Sequence, residues 1–479
     1  MLKNNIPNIM TPGFYAEYNY FAGPNGLPAN VQKLLLIGDT TSEGSLEVAK
    51  PVAVYNEIDV ISLAGAGSIL HQMYISAKKA WKYAQITLVR HAAVTGTSAS
   101  WDISCEISGA AAAKSGLAKI KIGKEIITVG YGVGATEASI IESVVADINA
   151  KTDLGVLSAI DSQDTSTAVV TAKSAGAYIS SAQGGLIISA ESTTEDVDFT
   201  ITPEAGVGAV DITTALQAVF PERYHLIVSS VCDAENLSRL KTHLESASEA
   251  LEMRGQRAIA VFVTPSLSAV NAAQTLAEAV NYERVHIAAV KNKILSPAWS
   301  IAAALGSIFC SNTQPNKPMN GLPLPSIAIP AVEDKWSGDE REALLRAGVI
   351  PLQDEEGSLC IVRAVTTRSS NNGTRFVKLI DTGVIASLDY TRDSIVSRQK
   401  EKFQNAVIHA TLTDSINEEN ISVCKDLEIA LIHRFVDAYA DQFISEESVT
   451  EPGRVLCQIP ASIVPGLNQI MNSIELYLS

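Results

Sequence analysis

Five short stretches of this chain are apolar almost throughout: "VQKLLLIGDT" (31–40), "QITLVRH" (85–91), "RYHLIVSSV" (223–231), "AIAVFVT" (258–264) and "HIAAV" (286–290). Runs of this length without polar alternation suit strands covered on both faces. Helical patterns separate them. One spans Ile69 to Trp81. A second repeats Leu237, Leu240, Leu244, Ala247 and Leu251 at threes and fours, behind Asp233 as a ready N-cap. "SLSAVNAAQTLAEAVN" and "PAWSIAAALGSIFCSN" follow, the latter opened by a proline at its first turn. Such alternation predicts an α/β sandwich with a largely parallel sheet.

The rhythm breaks between 93 and 208, where Ala, Ser, Thr and Gly dominate. "AKIKIGKEIITVGYG" reads as two strands around a Gly-Lys turn and "ATEASIIESVVADINAK" as a helix. "TAVVTAKSAG" and "DVDFTITPEAG" read as further strands. A mostly-β domain inserted into the core is expected, with the α/β sheet built from both halves of the chain. The expected organisation is an N-terminal arm (1–30), core (31–92), insertion (93–208), core again (209–365) and a C-terminal domain with a terminal strand (366–479). Within the last part, two long helices are expected over 382–410 and 422–444. The second would carry Leu427, Leu431, Phe435 and Ala438 on one face.

Composition excludes more than it assigns. A net charge of −16 over 479 residues argues against nucleic acid as a direct partner, which needs a basic footprint. No apolar run is long enough to insert into a membrane, and the N-terminus lacks a signal-peptide core, so a reducing cytoplasm is expected. The six cysteines stand singly, without a CxxC, and read as buried free thiols, Cys457 in "VLCQIP" among them.

Catalytic signatures are sparse. "GYGVGA" (130–135) lacks the GxGxxG spacing and reads as a turn; "LAGAGS" (63–68) reads as a loop entering a helix. The seven histidines show no HExxH, and His225 and His286 enter strands where a hydrogen-bonded core histidine is the default. Asp39 ends the first strand, where α/β enzymes keep ligands, but reads as the cap of the following turn. No cofactor is implied.

Both ends of the chain are extended and apolar. Near the N-terminus Phe14, Ala16, Tyr18 and Tyr20 alternate with Tyr15, Glu17, Asn19 and Phe21. At the other end Ile474, Leu476 and Leu478 alternate in "SIELYLS". A strand without a hairpin partner leaves a row of unmet backbone groups, which strand addition between subunits would satisfy. Head-to-tail contacts of this kind, when they do not close, generate helical filaments.

Taken in order, these segments resemble the contractile tail sheath proteins of Mu-like phages. The resemblance is carried by "IPNIMTPGFYAEY", "GLPANVQKLLLIGDT", "GAGSILHQMYISAKKA", the insertion from "AAVTGT", "LDYTRDSIVSRQKEKF" and "IPASIVPGLNQIMNSIELYL". It implies a subunit that polymerises as a helical sheath around an inner tail tube protein. The sheath contracts to drive that tube through a target cell envelope, without nucleotide or metal. Baseplate and tail terminator proteins are further implied partners, and the virion tail, assembled in the host bacterial cytoplasm, the implied location. The resemblance also places a tube-facing helix near 389–405, with Arg398 and Lys402 at i,i+4 and Arg392 and Lys400 nearby. The same charges on a solvated helix face are the alternative. The competing reading of the whole is a cytosolic α/β enzyme with an inserted lid. That reading needs a polar constellation at the strand ends and leaves the aromatic arm unexplained. A tube or capsid component is a third, disfavoured by the size and the two arms.

Overall fold

β1 (Lys33–Gly38) holds Leu34, Leu35, Leu36 and Ile37 wholly out of solvent. A strand can be that dry only with partners on both edges and cover on both faces. The computed structural model describes residues 26–180, 184–263, 270–291, 294–409 and 411–475. After β1 come β2 (Val52–Val54), α1 (Glu57–Ala64), α2 (Ile69–Ala80) and β3 (Gln85–Arg90). α2 is started by Ser68, whose hydroxyl accepts from the His71 amide.

The chain then leaves the sheet. Thr97 and Val207 exchange both backbone hydrogen bonds, so the segment between them departs and returns at one point. Gly96 is required there, because a Cβ would lie 1.8 Å from the Val207 carbonyl oxygen. The segment contains β4 (Ser98–Ile107), β5 (Gly116–Ile122), β6 (Glu125–Tyr131), α3 (Glu137–Ala150), β7 (Val156–Ile160), β8 (Thr167–Ala175), β9 (Ile188–Ser192) and β10 (Val197–Glu204). They form two antiparallel sheets, ordered β10-β4-β8-β7 and β6-β5-β9. The Gly-Lys turn joins β5 to β6, with Gly123 at φ 57°. Thr136 and Ser139 form a capping box that starts α3.

Past the return lie α4 (Thr213–Val219), β11 (Leu226–Ser229), α5 (Ala234–Ser248), β12 (Arg257–Val263), α6 (Val270–Val280), β13 (Val285–Val290) and α7 (Ala298–Ser311). α8 (Gly338–Ala347), β14 (Val349–Glu355) and β15 (Ser358–Ile361) follow. The sheet order is β15-β14-β13-β12-β11-β1-β3-β2, parallel except where β2 meets β3 and β14 meets β15. β1 therefore sits between β3, from before the excursion, and β11, from after it. The α/β sheet is built from both halves of the chain, as the sequence predicts. α7 is buried from Ala298 to Cys310, on all sides, because it packs between α2 and the sheet. The buried apolar cluster runs without a break from this layer into the β4–β10 segment.

A small hairpin, β16 (Ser370–Asn371) and β17 (Thr374–Arg375), turns through Asn372 and Gly373, both at positive φ. Two helices, α9 (Thr382–Phe403) and α10 (Leu412–Ile429), and the hairpin β18 (Ile444–Glu447) and β19 (Val455–Gln458) complete the described chain. It divides into two compact units: residues 30–389 with the segment from 465, and residues 390–464 with the stretch that ends at 29.

Three expectations are corrected. α5 stops at Ser248, so Leu251 lies outside its stripe and is exposed. The second C-terminal helix starts ten residues before its expected position and ends at Ile429. There Leu431 takes the left-handed conformation (φ 59°). Its amide bonds the Glu428 carbonyl, and the Ile432 amide bonds that of Leu427. This is a Schellman ending with leucine in the place glycine usually takes. Leu431 and Phe435 consequently face solvent, while Ile432 and Val436 turn inward. Finally, Cys457 is exposed on β19; Cys105, Cys310, Cys360 and Cys424 are the buried thiols.

Candidate functional site

The smaller unit has its own core: Ile395 from α9, Val423, Cys424 and Leu427 from α10, then Ile432, Val436 and Phe443. Leu27, Tyr390 and Ile459 pack against it, and the Tyr390 hydroxyl donates to the Pro28 carbonyl at 2.8 Å. Thr391 and His433 share a 2.8 Å hydrogen bond that joins α9 to the turn after α10.

The charged flank of α9 is organised by α10. Arg398 is buried; it reaches Glu419 at 2.7 Å and Asp426 at 3.4 Å. Lys402, one turn on, pairs with the same Glu419. Burial pushes the Glu419 carboxyl up, but the hydrogen bonds from Lys402 and Arg398 outweigh it and hold the group below the usual carboxylate range. Gln399 donates to Asn420 at 2.9 Å. Lys400 points to solvent, and Arg392 is partly buried beside Asp393 at 3.6 Å. Of the four basic residues singled out in the sequence, Arg398 and Lys402 are thus brought together on one carboxylate, and both Lys400 and Lys402 are exposed. Glu419 and Asp426 were missed. Their signal was the α10 stripe Leu412, Ile416, Val423 and Leu427, which puts Glu419 and Asp426 two turns apart on that helix.

β18 and β19 form a two-stranded sheet, and both their outer edges are unpaired among the described residues. Two strands alone make a marginal sheet, and an open edge is a template for further strands. Asn417 of α10 anchors this hairpin by donating to the Phe443 carbonyl at 3.0 Å. Ile444 and Leu456 remain exposed upon it. Of the residues assigned to strand arms, Phe14, Tyr15, Tyr18, Tyr20, Leu476 and Leu478 lie outside the described residues. Ile474 is described and is 94% exposed. Asn468 fixes the segment before it, accepting from Asn320 at 2.9 Å and donating to Asp381 at 3.3 Å. Beyond Asn468, Ile470, Met471 and Ile474 form an exposed apolar run.

The strand ends of the α/β sheet carry structural polar groups. Asp39 accepts from the Thr40 amide at 2.8 Å and lies 3.5 Å from Arg90. His286 is wholly buried, 3.2 Å from the Val365 carbonyl, and His225 accepts from the Lys33 amide. Among the described residues, no group of three His, Cys, Asp or Glu side chains converges to hold a metal ion.

Residues 205–367 match the family described as phage tail sheath protein central domain. That range runs from just after β10 to the segment between β15 and β16. The Mu-like prophage FluMu tail sheath protein of Haemophilus influenzae is 25% identical over 420 residues, covering 84% of this chain and 81% of that one. The crystal structure of the sheath tail protein from Desulfitobacterium hafniense shares the fold with a TM-score of 0.50 at 14% identity, covering 91% of this chain and 93% of that one. Residues 205–367 thus match a phage tail sheath central domain, the chain is similar along most of its length to a Mu-like tail sheath protein, and its fold is that of a sheath tail protein.

Proposed function

We propose that this chain is the structural subunit of a contractile tail sheath. It polymerises helically around an inner tube and contracts to drive the tube through a target cell envelope. The role is mechanical and not enzymatic. The observation that carries the reading is the β18–β19 hairpin: a unit with its own core carries a two-stranded sheet whose edges are open among the described residues, while the sequence holds period-two apolar stretches at 6–21 and 470–479. Segments from neighbouring subunits would lengthen that sheet, with Phe14, Tyr15, Tyr18, Tyr20, Ile474, Leu476 and Leu478 as the contact residues. Strand exchange would keep subunits linked while rigid bodies rotate.

The tube-facing surface would be the basic flank of α9. In this reading Lys400 and Arg392 meet an acidic tube surface, while Arg398 and Lys402 hold Glu419 and fix the flank. Contacts of this kind are screened by salt, which suits a surface that must let go on contraction. Residues 93–208 would form the inserted surface domain and 366–479 the sheath domain proper. Baseplate and terminator proteins would bound the polymer, and assembly would take place in the host cytoplasm.

The test is sedimentation of the purified chain with and without a metal chelator and nucleotide. Large polymers in both conditions are expected. Polymers that dissolve on chelation, or that need nucleotide to form, would contradict a purely mechanical subunit.

A further inference from the structure

Five buried side-chain atoms with no hydrogen-bond partner among the described residues gather at one end of the α/β sheet: Thr40 Oγ1, Arg90 Nε, His91 Nε2, Tyr178 Oη and Ser230 Oγ. Four of them sit at the carboxyl ends of β1, β3 and β11. Register sets Arg90 opposite Gly38, and Ser230 follows the Ile37–Ser229 pair. Gly38, Arg90 and Ser230 therefore share a row on the face that α7 covers. The Arg90 Nε lies 3.5 Å from the Asp39 carboxylate without a hydrogen bond. The His91 Nδ1 meets the Ala92 carbonyl at 2.7 Å, so it carries the proton and leaves Nε2 an acceptor without a donor.

The fifth atom belongs to the insertion. Tyr178 packs edge-on to Trp299 of α7, with ring centroids 5.9 Å apart. Burial, then the nearby Asp39 charge, push its phenol well above the ordinary value, so it keeps its proton and needs an acceptor. Among the described residues, the turn that carries Tyr178 is bonded to the neck of the insertion and not to the sheet. The Gly176 amide donates to the Thr97 carbonyl and the Ala177 amide to the Gly208 carbonyl. A Cβ on Gly206 would lie 2.5 Å from the Gly176 carbonyl oxygen, so these segments pack as one piece. Across the seam, the Gly184 carbonyl accepts from the Ala298 amide at 2.8 Å, and Lys173 donates to the Ala66 carbonyl at 3.1 Å. Apolar packing holds the seam shut. Each buried polar group without a partner works against it, because water would satisfy that group once the seam opened.

We propose that this seam is a conformational device: the insertion swings away from the sheet about its neck at 96–97 and 207–208, and opening gives the five groups water. The opened form is a minor population of the folded chain, reached without unfolding the sheet. Native-state hydrogen exchange on the full chain tests this. It is read at the Ala298 amide, whose acceptor lies across the seam, and at the Ile287 amide inside β13. Corrected for intrinsic rates, Ala298 should exchange at least tenfold faster than Ile287. The Tyr178→Phe, Ser230→Ala chain removes two unmet hydroxyls and keeps an aromatic ring against Trp299. It should slow exchange at Ala298 at least threefold. Equal rates at Ala298 and Ile287 in the native chain would mean that the seam opens only with the whole fold, and would overturn the device. So would an Ala298 rate unchanged in the variant, which fraying of α7 alone would give. A faster rate in the variant would also overturn it, by showing that the hydroxyls already had partners.

Discussion

Arg284 and Asp389 form a buried pair in the larger unit, and its removal has a calculable cost. Arg284 immediately precedes β13, and Asp389 lies on α9. The guanidinium meets the carboxylate through two bonds, at 2.6 and 2.8 Å, and the side chains are only 8% and 12% exposed. Arg284 also donates to the Gln256 carbonyl at 3.3 Å, and Arg257 and Arg223 add positive charge close by. Asp389→Ala leaves a buried guanidinium facing other cations. Breaking such a pair costs about 3–5 kcal/mol, whereas replacing both partners by apolar groups is often neutral. With a denaturant slope of a few kcal/mol per molar, the urea midpoint should fall by roughly 1 M or more. The Arg284→Met, Asp389→Leu chain should recover most of that loss. Gly255→Ala should act through the same pair, since its Cβ would lie 2.5 Å from the Asp389 carboxylate. It should destabilise the native chain, and the double variant too, because leucine at 389 keeps a carbon at the Cγ position the new Cβ would meet. The assay is tryptophan fluorescence, which reports this unit alone, because Trp81, Trp101, Trp299 and Trp336 all fall within it. A loss below about 1 kcal/mol for Asp389→Ala, or a double variant as weak as the single, would mean that the pair is not what holds this site together.

Two further outcomes follow. Burial, and then Arg257, lower the His286 imidazole to about 3 from an ordinary 6.5. The unfolded chain therefore binds the extra proton first, and stability is complete above 6.5 and lost as pH falls toward 3. The loss approaches about 1.4 kcal/mol per pH unit. His286→Gln should flatten the urea midpoint against pH in that window, and an unchanged slope would remove His286 as a cause. Leu431→Gly should stabilise the smaller unit by about 1 kcal/mol, because the left-handed conformation costs an L-residue 1–2 kcal/mol and glycine little. Slower amide exchange at Ile432 and His433 is the readout; faster exchange would mean that the leucine side chain does more than tolerate its position.

What the sequence made legible was whatever repeats at a fixed period. The unbroken apolar runs at 34–37, 226–228 and 287–290 read as buried strands, and their spacing by helices pointed to the α/β class. Asp233 declared its cap through its position before a leucine stripe, and Asp39 behaves as the turn cap expected. β14 was not legible, because Pro351 within it signals a break; its place near the sheet edge makes the proline tolerable. The end of α10 was hidden for a related reason. A Schellman stop is announced by glycine, and here Leu431 occupies the left-handed position while apolar spacing continues past it. Cys457 misled because a short apolar run on a two-stranded sheet has only one side to bury. The charge knot on Glu419 was missed because the second helix is expected only from 422, which leaves Glu419 outside it.

In the proposed sheath, exchanged terminal strands join the subunits. Negative-stain electron microscopy of the full chain, next to a chain lacking residues 1–21, tests it most directly. Long helically striated tubes from the full chain, and folded single particles from the truncated one, are the predicted result. Tubes of equal length from both chains would contradict strand exchange by the N-terminal arm. Small discrete particles from the full chain, even when tube and baseplate components are supplied, would contradict a sheath subunit altogether.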